Sequence, residues 1–215
     1  MKVQQFIKKL NNTELGRTGI HENYVLVPQS VDLSTFFDAT HLNPIFYDRR
    51  SGTVVDYIRY TSDRENRIVG LGQYYRINKA DAGDKILFER SDSHNDTKFY
   101  IDLIKYENLI LFQKMSKGFE VLNPDRLQPK LVHGYFALTS KLNGDPCELE
   151  IRFKGSFKKR EDSPIYTDFY DLTANGINIM NNYSHNELIE LSISQSTSCL
   201  NQVLIWQKYY FKWED

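Results

Sequence analysis

Between positions 49 and 76 the chain carries six arginines (Arg49, Arg50, Arg59, Arg64, Arg67 and Arg76) and no lysine. A planar guanidinium donates hydrogen bonds in pairs, so arginine matches guanine edges and phosphate oxygens in a way lysine does not. The stretch IRYTSDRENRIVGL places Ser62, Asp63, Arg64, Glu65, Asn66 and Arg67 at or near the tip of an expected hairpin. In a DNA groove arginine reads guanine, asparagine reads adenine, and a carboxylate accepts from the amino group of cytosine. A solvated turn with local ion pairs accounts for the same composition, so both readings stand on the residues alone. A second basic tip, FKGSFKKRED, holds Lys154, Lys158, Lys159 and Arg160 and is either phosphate-facing or simply solvated.

Hydrolytic chemistry has one candidate. A metal-dependent nuclease clusters carboxylates with a lysine to hold the cation and activate water, and DPCELEIRFKG supplies Asp145, Glu148, Glu150 and Lys154. On a strand Glu148 and Glu150 share a face. The acid-x-lysine spacing of such nucleases is broken, because Arg152 stands two residues after Glu150. An alternating charged strand on a solvated sheet face explains the segment equally well. The five histidines (His21, His41, His94, His133, His185) show no HxxxH or HExxH spacing. GLGQYY lacks the third glycine of a dinucleotide loop, and neither a GxSxG elbow nor a P-loop is present. No catalytic motif is legible. DNA binding would need no cofactor, and Mg2+ enters only if the chain is a nuclease.

The elements that would position these residues are strands. Short runs of period two recur (NYVLVPQ, VVDYIRY, RIVGLGQYYRI, DKILFER, FYIDLI, NLILFQK), separated by DRRSG, SDREN, NKADAGD and SDSHND. Aromatic residues at 13%, nearly all tyrosine and phenylalanine, suit pleated surfaces. The expectation is a mainly β chain with two short helices, over VQQFIKKL and over SVDLSTFFD with Ser30 as its N-cap. The segment 115–130, MSKGFEVLNPDRLQPK, interrupts the rhythm and marks a boundary between a domain over 1–118 and a second β-rich region over 125–215. The second region is a repeat of the first or an effector part. Length, 40% apolar content and 26% charge are globular values. The net charge of −1 excludes a uniformly basic protein but leaves room for a local patch. Cys147 and Cys199 have no metal-ligand spacing and fit reduced thiols. With no signal-like start and no membrane-length apolar run, the expected setting is soluble and cytoplasmic.

Three segments then bear a family likeness. NNTELGRTGIHENYVLVPQ resembles the opening of the N-terminal DNA-binding domain of EcoRII-type restriction endonucleases. There a glycine-threonine loop ending in His-Gln leads into an apolar strand closed by proline. This chain keeps GRTGIH and VLVP and carries Glu22 in place of the glutamine. FYDRRSGTVVDYIRYTSDRENRIVGLGQYY is similar to the second arm-bearing hairpin of that family, and INKADAGDKILFER to its closing turn and strand. The likeness covers about the first 115 residues, in order. It implies an open seven-stranded pseudobarrel related to the plant B-three domain, with two arms entering the DNA major groove. Carried over by position, Arg17, Thr18 and His21 would contact phosphates or bases from the first arm. Tyr60, Asp63, Arg64, Asn66 and Arg67 would do so from the second. Glu22 would be repelled by phosphate.

Three functions are consistent with these observations. The first is sequence-specific recognition of double-stranded DNA as the DNA-binding part of a restriction endonuclease, with a dimer or a partner nuclease subunit as its protein partner. The second is a compact metal-dependent endonuclease with its own site in 120–215 around Glu148, Glu150 and Lys154. The third is a protein-binding β scaffold. None calls for a membrane.

Overall fold

The first strand, β1 (Lys2–Lys9), buries Gln4, Phe6 and Lys8 in strict alternation. It pairs antiparallel with β7 (Lys85–Ser93) on one side and with the last strand of the chain, β17 (Tyr209–Glu214), on the other. A helix was the expectation here, but two neighbouring strands take up the backbone groups that a helix would satisfy internally. The structure is a computed structural model. It describes all residues except 1, 18–21, 42, 63, 95, 159–160, 162–163, 195–197, 203–208 and 215, and the backbone alone of 202, 209–211, 213 and 214. The chain is mainly β and forms two units, Met1–Tyr106 with Trp206–Asp215, and Glu107–Ile205.

In the first unit a six-stranded sheet runs β17-β1-β7-β8-β3-β4, with β8 at Asp96–Ile104, β3 at Phe46–Asp48 and β4 at Val54–Val55. Its core is aromatic. Phe46 lies 5.9 Å from Phe88 and 5.5 Å from Phe99, ring centre to ring centre, and all three are buried. A separate three-stranded sheet runs β2-β6-β5, from β2 (Tyr24–Val27), β6 (Asn66–Val69) and β5 (Arg59–Ser62).

The segment Ser30–Asp38, expected as a helix, makes only isolated turns, in which the amides of Phe36 and Phe37 both donate to the Leu33 carbonyl. Side chains claim the backbone instead. Asp32 accepts from the Ser34 amide, and Arg90 donates to the carbonyls of Thr35 and Phe36. The helix that does form is α1 (Gly72–Ile77), inside a run expected as strand, and it buries Tyr74 and Tyr75 side by side.

The second unit closes on itself. Its strands are β9 (Leu109–Met115), β10 (Gly118–Val121), β11 (Tyr135–Leu142), β12 (Asp145–Lys158), β13 (Tyr166–Ala174), β14 (Ile177–Asn178), β15 (Leu188–Ile193) and β16 (Ser198–Gln202). Pairing runs β10-β9-β15-β16-β11-β12-β13, and β13 pairs back with β10, which completes a seven-stranded barrel. Among the described residues of this unit, only the β11–β16 pairing is parallel. Phe112, Phe119, Leu149, Ile151, Tyr170 and Leu172 fill the interior. The segment 115–130, expected as a boundary, supplies β10 and the short helix α2 (Pro124–Leu127) and so belongs to the barrel; the division between units falls at Tyr106 and Glu107. The strand order of this barrel differs from that of the sheets in the first unit. Cys147 and Cys199 are free. No helix among the described residues is long and apolar enough to cross a membrane.

Candidate nucleic-acid interface

Alternation along the three-stranded sheet sorts its residues onto two faces. Val25, Val27 and Ile68 point into the core and are at most 2% exposed. The register pairs Thr61 and Leu26 with Arg67, and Arg59 and Tyr24 with Val69. Arg59, Thr61, Arg67 and Val69 therefore share the opposite face. Arg67 is held there on three sides. Its guanidinium donates to Glu65 Oε2 at 2.7 and 3.0 Å and lies 4.3 Å from the centre of the Tyr24 ring. It also reaches Glu22 at 3.5 Å, which links the two loops that the resemblance assigns to separate arms. An open cleft of about 560 Å³ runs between Glu22, Thr61, Arg64, Glu65, Arg67 and Val69. Arg64 is exposed at its rim. Among the described residues neither Arg64 nor Arg59 has a carboxylate or hydrogen-bond partner.

The base of the first loop is fixed by burial. Lys8 Nζ donates to Glu14 at 2.6 Å, with the two side chains 8% and 2% exposed, and the other acceptor positions of Glu14 take the amides of Asn11 and Leu26. Arg17, expected to contact DNA, donates to Asp81 at 2.6 Å and to the Ala80 carbonyl. It ties the loop to the closing turn, whose Asp84 is fully buried and accepts from the Asp81 and Tyr106 amides. Thr18 and His21 lie outside the described residues, as does Asp63 of the second hairpin.

Tyr60 stacks on Phe37 with ring centres 5.3 Å apart and planes within 9°, and burial pushes its phenol above the usual tyrosine range. It faces away from Arg67. Asn66 shares that face and accepts from the Ser62 hydroxyl across the tip. Of the residues expected on the two arms, the structure brings Arg64 and Arg67 together and sets Arg17, Tyr60 and Asn66 elsewhere. Of the remaining arginines, Arg49 and Arg50, in the turn after β3, pair with Glu89 and Asp102 on strands of the six-stranded sheet.

No protein-family model matches this chain, and no curated protein matches it either.

Arg59 and Glu22 were missed as members of the site. Arg59 had only its place in the arginine-rich run, and Glu22 stood out only as a departure from a resembled motif. The two become neighbours of Arg67 through strand register and through the return of the first loop.

On the barrel, Glu148, Glu150, Arg152 and Lys154 lie on the outer face of β12, with Cys147, Leu149 and Ile151 inside. Each has a local partner. Glu148 accepts from Thr139, Glu150 from Arg152 and Thr173, and Lys154 donates to Asp171. Among the described residues no group of three or more His, Cys, Asp or Glu side chains could hold a metal ion. Lys159 and Arg160 of the second basic tip lie outside the described residues; Lys158 lies over the Tyr166 ring at 5.8 Å.

Proposed function

We propose that the chain is a sequence-specific double-stranded DNA-binding protein of the restriction-endonuclease type, whose first unit is a B-three-like pseudobarrel. The observation that carries this reading is the outward face of the three-stranded sheet. There Arg64 and Arg67 stand with Glu22 and Glu65 around one cleft, and Arg59 lines an adjoining cleft that shares Glu22 with it. A pre-oriented guanidinium loses less freedom on binding, and Arg67 is held by two carboxylates and a ring before any ligand arrives. The unpaired Arg59 and Arg64 are donors for guanine edges or phosphates, while Glu22 and Glu65 are acceptors for cytosine amino groups. The carboxylates would weaken a merely electrostatic grip on phosphate, and alternating donors and acceptors suit base edges.

Selection of bound duplexes from a random DNA library at moderate salt tests the reading. A short enriched motif is the expected result, and affinity should fall with salt at a log–log slope of about −0.9 per phosphate neutralised. Binding without enrichment would reduce the protein to a nonspecific binder. No binding to any duplex would favour a protein-binding scaffold.

A further inference from the structure

Tyr57 has the most unfavourable combination of exposure and backbone conformation in the first unit. Its side chain is 84% exposed, and its φ of 69° places a bulky aromatic residue in the left-handed region. The neighbouring backbone enforces this. Gly70, at φ 87°, lies so close that a Cβ there would fall 2.0 Å from the Tyr57 carbonyl oxygen, and the next residue, Ile58, is buried. The chain accepts strain to turn Ile58 inward while holding the Tyr57 ring in solvent, where the ring adds almost nothing to the core. Strain kept at an exposed ring points to a use for that ring.

Beside it lies a cleft of about 400 Å³, within the size range of small-ligand sites. Its wall includes Tyr57, Glu22, Asn23, Arg59 and Thr61. This cleft shares Glu22, Thr61 and Val69 with the cleft at Arg64 and Arg67. One recess therefore offers a flat ring with a cation, a carboxylate and a hydroxyl, and the adjoining recess offers two further guanidinium groups. A planar heterocycle with a donor–acceptor edge, attached to a phosphodiester, matches both.

We infer that Tyr57 and its cleft form a stacking site for one unpaired nucleobase, with Arg59 and Glu22 meeting the base edge and Arg64 and Arg67 the flanking backbone. The inference rests on the nucleic-acid reading of the sheet face. The base comes either from a single strand or from a duplex that releases it, and the chemistry at Tyr57 is common to both.

The test is fluorescence anisotropy of the full chain with three labelled DNA probes of the selected sequence: a matched duplex, the same duplex with one base facing an abasic position, and the single strand. Tyr57→Asn removes the ring with a residue that tolerates left-handed backbone, and Tyr57→Phe keeps the ring. If bases are taken from the duplex, wild type and Tyr57→Phe bind the freed-base duplex more tightly than the matched one. If the source is a single strand, that probe binds best. In either case Tyr57→Asn loses roughly tenfold or more on the preferred probe, as expected for one lost base–aromatic stack. Wild-type binding to duplex with Tyr57→Asn equal to wild type on all three probes would overturn the stacking site and leave the DNA reading intact. Failure of the wild type to bind any probe would overturn both.

Discussion

Arg64 carries a full positive charge at the rim of a cleft and spends it on no neighbour among the described residues. Replacing it with alanine removes no packing, so its effect should be confined to binding. For Arg64→Ala we expect about 1–3 kcal/mol of affinity lost on the selected duplex and a smaller loss on other sequences if it reads a base. Competition titrations against altered duplexes measure the difference, and an equal loss on all of them would make Arg64 a phosphate contact, the role it takes beside the Tyr57 stacking site. Asp38 is a residue of the opposite kind, used entirely within the fold. The Thr40 hydroxyl beside it, with Arg90 and His41, holds its carboxyl well below the usual carboxylate range, against the contrary pull of burial. A depressed folded pKa means that this stability is fully present above the unfolded value of about 3.9 and is lost as pH falls through the folded one. Unfolding midpoints measured from pH 7 down to pH 2 should therefore drop more steeply for wild type than for Asp38→Asn below about pH 4.

At the level of the element, the first loop is built on the buried Lys8–Glu14 pair rather than on its glycines. Lys8→Met would leave the Glu14 carboxylate buried opposite an apolar chain, a change that costs about 3–5 kcal/mol in comparable cases. Denaturant titration reads that loss directly; a change below about 1 kcal/mol would mean that the amides of Asn11 and Leu26 satisfy Glu14 by themselves. The strands, their turns and the hairpin bearing Arg64 and Arg67 were legible from alternation and turn residues. The fates of individual side chains were not. Arg17 and Asp81 are separated by 64 positions, and Tyr60 is turned inward by a ring, Phe37, on an irregular segment. Such partners are chosen by tertiary register, of which one sequence holds no local record. The helix expected over VQQFIKKL failed for a related reason: Val3, Phe6, Ile7 and Leu10 are spaced for a helix, and pairing on both sides makes a strand whose inner face takes Gln4 and Lys8 along with Phe6.

At the scale of the whole molecule, two folding units share one chain unequally. The barrel draws all its strands from Glu107–Ile205, whereas the six-stranded sheet takes its edge strand from the far end of the chain. Deleting Tyr209–Glu214 should lower the unfolding midpoint of the first unit and leave that of the barrel in place, and residues 107–205 expressed alone should fold with a barrel-like β spectrum. Hydrogen exchange resolved by segment separates the two outcomes. A uniform loss of protection across both units would show that they unfold as one.

The pairing of β1 with β17 also sets an order in time. On the ribosome β1 is made about two hundred residues before β17, with the strands of the barrel synthesised between them. At about 5–20 residues per second, translating the roughly two hundred residues between β1 and β17 leaves one edge of β1 uncovered for about 10–40 s. An uncovered strand edge is a template for other chains. Polar and charged residues, Lys2, Gln4, Gln5, Lys8 and Lys9, take five of the eight positions of that strand and so protect the nascent edge until its partner arrives.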